Sequence, residues 1–274
     1  LEKFFDRVNH DRLMARVSTK VRDQRMLGLI RGFLTAGVLE GGLVEPSEEG
    51  TPQGGPLSPL LSNIVLDELD QELERRGHAF VRYADDCNIY VRSERAGKRV
   101  MQSLRALITK RLRLRINEDK SAVGRPYQRK FLGFSFTSQK QARRRIAPKA
   151  VERFKGRIRE LTQRRRGREL KAIIEELNLY LNGWKGYFGF CETPSVLKEL
   201  DGWIRRRLRC YLWKQWKKPR RRQQALRALG VERTLAQRIG ASSKGPWTIS
   251  GYLGDILTPR YFDSLNLVRL AATA

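Results

Sequence analysis

The sequence predicts an α+β fold in its first half and an all-helical second half. Three observations carry that reading. Up to about residue 137, helical periodicity is interrupted by short segments of alternating apolar and polar residues. Beyond residue 147 the apolar residues recur at helical spacing throughout. A Lys/Arg-rich stretch at 138–147 separates the two patterns.

The opening residues, Leu1 to Leu13, read as the end of a strand entering a helix, and a second helix is predicted over 22–34. Val38, Leu39, Leu43 and Val44 alternate through a Gly- and Glu-rich hairpin at 37–50. The run from Gly50 through Pro52, Gln53, Gly54 and Gly55 to Pro56 is too rich in Gly and Pro for regular structure. A helix follows, with Ser58 as N-cap, Pro59 at its first position and Gly77 at its end. Leu61, Ile64, Val65, Leu69 and Leu73 share its apolar face. Residues 80–92 read as a hairpin turning at Asp85-Asp86. A helix near 94–111 then leads to short strands at 112–116, 131–136 and 143–146.

In the second half, Pro148 opens a helix with Val151, Phe154, Ile158 and Leu161 on one face. A second helix carries Leu170, Ile173, Ile174, Leu177, Leu181 and Trp184. A third has Thr193 as N-cap, Pro194 next, then Leu197, Leu200, Ile204, Leu208 and Tyr211. The domains expected are therefore 1–137, a compact helical unit at 148–222, and a weaker, partly helical basic tail at 223–274.

Charge narrows the function. The 274 residues hold 56 Lys+Arg against 29 Asp+Glu, a formal net charge of +27. A small soluble domain carries about 2–8, and so large an excess repels itself unless a polyanion neutralises it. Nucleic acid is the leading partner and an anionic membrane surface the second. No apolar run of about 18 residues is present, which excludes a spanning helix. The three cysteines are far apart and fit a reducing compartment, and neither histidine stands in a Cys/His ligand spacing. From Lys140 to Arg168 there are 13 Lys/Arg and two acids, and from Arg205 to Arg222 ten Lys/Arg and no acid. Tyr211, Trp213 and Trp216 interleave with the second stripe, where aromatic rings can stack on unpaired bases. Trp203, in phase with Leu200 and Ile204, is assigned to the core.

The sharpest motif is Tyr83-Ala84-Asp85-Asp86. Two adjacent carboxylates at a hairpin tip repel each other unless a cation sits between them, and a hard divalent ion with oxygen ligands suits them. Taken alone, an Asp-Asp pair is also an ordinary solvated turn. Upstream lies Gly54-Gly55-Pro56-Leu57-Ser58-Pro59, and downstream Asn117-Glu118-Asp119-Lys120 and Phe131-Leu132-Gly133-Phe134.

This ordered series, with Phe4-Phe5-Asp6 and Thr51 to Gly55, resembles the reverse transcriptases encoded by group II introns. In the helical half, Leu181-Asn182-Gly183-Trp184, Tyr187-Phe188 and Trp203 to Arg209 resemble that family's thumb and maturase-specific domain. The resemblance implies a right-handed polymerase: an antiparallel palm followed by a helical thumb. It implies that Asp85 and Asp86 hold two catalytic Mg²⁺ ions, with Mn²⁺ as the alternative. Phe5 would lie under the incoming sugar, and Gln53, Tyr83 and Ala84 would line the nucleotide site. Lys120 would sit near the triphosphate and protonate the pyrophosphate. Phe131, Leu132 and Gly133 would hold the primer end. Without the family, Phe5 reads equally as a core residue, Gln53 as a loop amide and Lys120 as a surface lysine.

RNA-binding residues on this reading are Arg143, Arg144, Arg145, Arg164, Arg165, Arg166, Arg205, Arg206, Arg207, Arg209, Lys214, Lys217 and Lys218. The implied partners are intron RNA, an RNA template with a DNA primer, deoxynucleoside triphosphates and a DNA target site, in a bacterial cytoplasm. In the family pattern the first catalytic aspartate directly precedes the Leu1 to Phe5 segment, and Asp6 is offset from it. Residues 1–274 by themselves are therefore expected to bind RNA without polymerising. Two rival readings remain: an RNA-binding splicing factor without polymerase activity, and a retron or diversity-generating reverse transcriptase.

Overall fold

The computed structural model describes the chain except for residues 3, 37, 41–42, 46–48, 52–54, 164–166 and 272–274 and the side chains of 38–45. The described residues are mostly helical, with three two-stranded antiparallel sheets. They form two units, Leu1–Arg125 and Pro126–Ala274, each with its own apolar core.

In the first unit, a 3₁₀ turn at Phe4–Asp6 stands where a strand end was expected. Helix α1 (His10–Ser18) starts on Asn9, whose Oδ1 accepts from the Arg12 amide at 3.0 Å. Helix α2 (Gln24–Thr35) starts on Asp23, which accepts from the Arg25 amide at 2.8 Å. Strands β1 (Val38–Glu40) and β2 (Leu43–Glu45) form the expected hairpin. Helix α3 spans Ser58–Arg75. Its cap position is Leu57, not Ser58, because the Ser58 amide already donates to the Gly55 carbonyl (3.3 Å) and the helix begins one residue early. At the other end Gly77 has φ +67°. The Gly77 amide bonds to Glu74 and the His78 amide to Leu73, the paired bonds of a Schellman closure.

Strands β3 (Ala79–Tyr83) and β4 (Asp86–Tyr90) pair with Tyr83 opposite Asp86, so the turn is Ala84-Asp85 rather than Asp85-Asp86. Helix α4 (Glu94–Ala106) runs on into a π-helical turn, Leu107–Arg111. The strand expected at 112–116 does not form. Leu112 and Leu114 are buried and alternate with exposed Arg113 and Arg115, but their amides bond back to Leu107 and Ile108. Arg113, at φ +54°, breaks the extended path. Leu13, Leu34, Leu61, Leu66 and Leu73 form the centre of this unit.

The second unit opens with β5 (Phe134–Phe136) paired to β6 (Arg144–Ile146). The Phe134 ring lies 5.1 Å from Phe188 and 5.0 Å from Phe190, which ties this strand pair to the helical half. The division between units therefore falls ahead of the basic stretch at 138–147. Helices α5 (Pro148–Leu161), α6 (Leu170–Phe188) and α7 (Pro194–Gln215) follow the sequence reading. Thr193 precedes α7 as expected, yet its side chain does not cap it.

The expected tail is instead folded. Helices α8 (Pro219–Ala228), α9 (Arg233–Gly240), α10 (Pro246–Tyr252) and α11 (Pro259–Ser264) contribute Leu226, Ala236, Ile249 and Phe262 to the same core as α5 to α7, and the loop after α10 adds Leu253 and Leu257. Helices this short complete too few turns for a periodic pattern to show in the sequence. Two polar side chains fasten the end of the chain. Asp201, 5% exposed, accepts from the amides of Leu270 (2.9 Å) and Ala271 (3.0 Å). Asn178 donates to the Asn266 carbonyl (2.7 Å) and accepts from the Val268 amide (2.9 Å).

Replacing Asp201 by Ala removes two charge-assisted bonds and leaves the amides unpaired. Asp201→Ala is expected to lower stability by about 3 kcal/mol. The loss is measured by chemical denaturation, with limited proteolysis showing faster cleavage near 265–271.

Candidate functional site

The Tyr83 to Asp86 turn is built by strand register and by one arginine. Alternation along β3 puts Phe80 and Arg82 on the inner side, while Val81 and Tyr83 are exposed. Arg82 lies opposite Cys87. Its guanidinium forks onto Asp70 of α3, Nε to Oδ1 at 2.7 Å and Nη2 to Oδ2 at 2.5 Å. The remaining arm, Nη1, donates to Asn63 Oδ1 (2.9 Å) and to the Ala84 carbonyl (3.0 Å). Asp70 raises the Arg82 pKa further, against the opposing effect of burial. Ala84 has φ +50°, so the Arg82 bond fixes a turn residue in a region that alanine avoids.

The carboxylate of Asp85 is partly exposed and lies 3.7 Å from the Leu1 nitrogen. Asp86 is exposed beside it. Both offer hard oxygen donors, which fit a divalent ion. Burial, with Asp70 adding to it, pushes the neighbouring Cys87 thiol up to about 11. Among the described residues no third His, Cys, Asp or Glu completes a metal cluster there.

The loop before α3 is pinned beneath the first turn. The Thr51 amide donates to the Phe5 carbonyl (2.6 Å), the Gly50 amide to Val8 (2.8 Å), and buried His10 Nε2 pairs with the Gly50 carbonyl (2.6 Å). A Cβ on Gly50, which has φ +94°, would lie 2.8 Å from the Phe5 carbonyl oxygen, so only glycine fits. Phe5 is half-buried, edge-on to Phe4. Gln53 lies outside the described residues. Lys120 is exposed, in a turn closed by Asn117 Oδ1 on its amide (3.0 Å).

In the second unit, Phe131 and Phe134 exchange two backbone bonds of 2.9 Å across Leu132 and Gly133. Leu132 has φ +50° and Gly133 φ +78°, the conformation of a type I′ turn. The Tyr187 hydroxyl donates to the Leu132 carbonyl (2.9 Å), and the Ala147 amide donates to Gly133 (2.9 Å). Leu132, Tyr187 and Phe190 are exposed.

The two basic stripes divide by geometry. Arg143, Lys214, Lys217 and Lys218 are exposed. Arg164, Arg165 and Arg166 lie outside the described residues. Arg205 is half-buried. The others turn inward. Arg206 stacks on Trp247 at 4.1 Å and donates to its carbonyl and to Ser250. Arg207 donates to the Thr162 hydroxyl (2.8 Å) and carbonyl. Arg209 donates to the carbonyls of Gly254 and Leu257. Arg144 lies over Phe190 and donates to its carbonyl, and Arg145 reaches toward Ser135 and Tyr127. Two of the three rings interleaved with the second stripe go into the core. Tyr211 and Trp213 are buried, with Arg222 over Trp213 at 4.2 Å. Trp203 packs against the core as expected, and like Trp216 it is half-buried.

A hairpin bearing two adjacent carboxylates in one unit and a helical second unit are compatible with a reverse transcriptase joined to a maturase domain. Residues 1–136 match the family described as reverse transcriptase (RNA-dependent DNA polymerase). Residues 151–230 match the maturase-specific domain of group II introns. The chain belongs to the reverse transcriptase/maturase family encoded by group II introns. The Group II intron-encoded protein LtrA of Lactococcus lactis subsp. cremoris is 48% identical over 67 residues, 24% of this chain and 11% of that protein. Protein YkfC of Escherichia coli K12 is 31% identical over 157 residues, 45% of this chain and 41% of its own length. The Retron Ec86 reverse transcriptase of Escherichia coli is 26% identical over 158 residues, 56% of this chain and 39% of that protein. The chain thus spans well under half the length of these relatives. Reverse transcriptases work with divalent metal ions, and no helix among the described residues is long and apolar enough to cross a membrane.

Arg82 was not singled out from the sequence, although a charged residue on the inner side of β3 signals a partner. Arg82→Met is expected to lower stability by about 1.5–3 kcal/mol. Amide hydrogen exchange at Ala84 and Asp85 should quicken at the same time, because the Ala84 carbonyl loses its anchor.

Proposed function

We propose that the first unit is the palm of an RNA-directed DNA polymerase and the second its thumb and maturase domain. The protein copies RNA into DNA from deoxynucleoside triphosphates and binds intron RNA to promote splicing and mobility, including at a DNA target site. The hairpin tip carries this reading. Asp85 and Asp86 share one turn, and the Leu1 nitrogen stands 3.7 Å from the Asp85 carboxylate.

Asp85 and Asp86 would hold the divalent ions, two Mg²⁺ or Mn²⁺ in their place. Bound there, such ions stabilise charge on the attacking and departing oxygens of phosphoryl transfer. Phe5 excludes a ribose 2′-hydroxyl from the sugar position, with its carbonyl fixed by Thr51. Gln53, Tyr83 and Ala84 contact the nucleotide, and Lys120 delivers a proton to the pyrophosphate. Phe131, Leu132 and Gly133 hold the primer end on the type I′ turn. Arg143, Lys214, Lys217 and Lys218, exposed as they are, meet RNA phosphates together with Arg164, Arg165 and Arg166. The maturase-specific match over 151–230 favours the intron reading over the retron one.

Asp85→Asn, made in the full-length protein, is expected to abolish primer extension on an RNA template. RNA affinity should stay within a few fold; near-normal extension would sink the assignment.

The division of the stripes gives a second test. Replacing Lys214, Lys217 and Lys218 by Gln should flatten the log–log dependence of RNA affinity on salt by about 0.7–0.9 per lost contact. Arg209→Gln should leave that slope unchanged and lower the melting temperature.

A further inference from the structure

Trp203 stands apart from the other cation–aromatic pairs of the second unit. Arg206 lies 4.1 Å from the Trp247 ring and Arg222 4.2 Å from Trp213, one guanidinium stacked on each indole. Around Trp203 three cations converge and none reaches stacking distance. Lys155 Nζ is 5.8 Å from the ring centroid, Arg159 Cζ 5.7 Å and Arg207 Cζ 5.5 Å. Arg207 is fixed there by its bonds to Thr162 at the end of α5. Lys155 and Arg159 sit one turn apart on α5 and pair with no carboxylate among the described residues. Glu160, the acid beside Arg159, is taken by Arg157 at 2.9 Å.

Packing does not call for this arrangement. One stacked cation satisfies an indole, as the other two pairs show, whereas a second and third add mutual repulsion. Trp203 is half-buried and Arg159 is exposed, so ring and charges both meet solvent. An aromatic face beside Lys155 and Arg159, which pair with no carboxylate among the described residues, suits a ligand that carries a π-face and an anion together. An unpaired nucleotide is such a ligand: its base stacks and its phosphate accepts the charges.

We propose that Trp203, Lys155, Arg159 and Arg207 form a docking site for an unpaired nucleotide of RNA. The base stacks on the open part of the indole, and the phosphate lies between Lys155 and Arg159. Arg207, held by Thr162, is the fixed charge of the site. The inference rests on the RNA-binding reading of this unit and names a site within it.

The test is binding of the chain to a single-stranded oligouridylate and to an RNA duplex of equal length, across a range of salt. Trp203→Ala is expected to weaken oligouridylate binding roughly 5- to 150-fold, the range that base–aromatic stacking spans, and duplex binding far less. Trp203→Phe, which keeps a ring, should restore most of the loss. Lys155→Gln combined with Arg159→Gln, neither residue being buried, should reduce the salt slope for the single strand by about 0.7 per cation. Equal loss on both RNAs in Trp203→Ala, or an unchanged slope in the double variant, overturns the site. Should Trp203→Ala fail to fold, the double variant alone decides. If the unaltered chain has no affinity for RNA, the RNA-binding reading falls together with the site. If it binds RNA and the variants bind equally well, only the site falls.

Discussion

Self-repulsion in a chain of formal charge +27 governs how the second unit is put together. Carboxylates are too few to answer every cation, and backbone carbonyls take their place. Arg207 binds Thr162 at the C-terminal cap of α5, Arg209 binds the carbonyls that follow α10, and Arg144 binds Phe190 beyond the end of α6. The Thr162 carbonyl, at its helix cap, lacks an intrahelical partner and carries the negative end of the helix dipole. The Gly254, Leu257 and Phe190 carbonyls lie in the loops beyond their helices, and each still gives a repelled cation a partial negative charge. Burial holds the Arg209 pKa below its ordinary value, and the carbonyl oxygens offset that cost while the group stays charged. Geometry thus sorts the basic residues into those that fasten helices and those left exposed.

The same economy of partners operates in the first unit with a different purpose. The fork of Arg82 onto Asp70 ties β3 to α3, and its third arm fixes the turn that presents Asp85 and Asp86. The two acidic residues are thereby left free of an internal arginine and point their oxygens outward. The loop that leads toward Gln53 is held from the opposite direction, by His10 and by the Phe5 carbonyl. Local backbone bonds, rather than a large sheet, set the positions of these pieces.

Much of this was legible in the residues. Gly77 announced its left-handed closure, the α3 to β4 stretch followed its apolar spacing, and α5 to α7 followed theirs. The failures have physical causes. Residues 112–116 carry a strand-like alternation, but their amides are consumed by the end of α4 and Arg113 turns the chain. Ser58 lost the cap because the turn from Gly55 starts the helix before it. Trp213 went into the core rather than to the RNA-facing stripe, since helical phase locates a face but not which neighbouring helix will cover it. An arginine run looks the same in sequence whether its guanidinium groups find phosphates or carbonyls.

Asp201 and Asn178 bear on how regions of this protein can be assigned by deletion. The segment they hold lies at the end of the sequence, yet it lines the interior of the helical unit through Leu267 and Leu270. Cutting the chain ahead of it removes part of the packing under α6 and α7 and leaves a buried carboxylate without its amides. A shortened protein that no longer held nucleic acid would thus report collapse of the scaffold. Boundary mapping would then credit the last residues with a recognition role when what was lost is the fold.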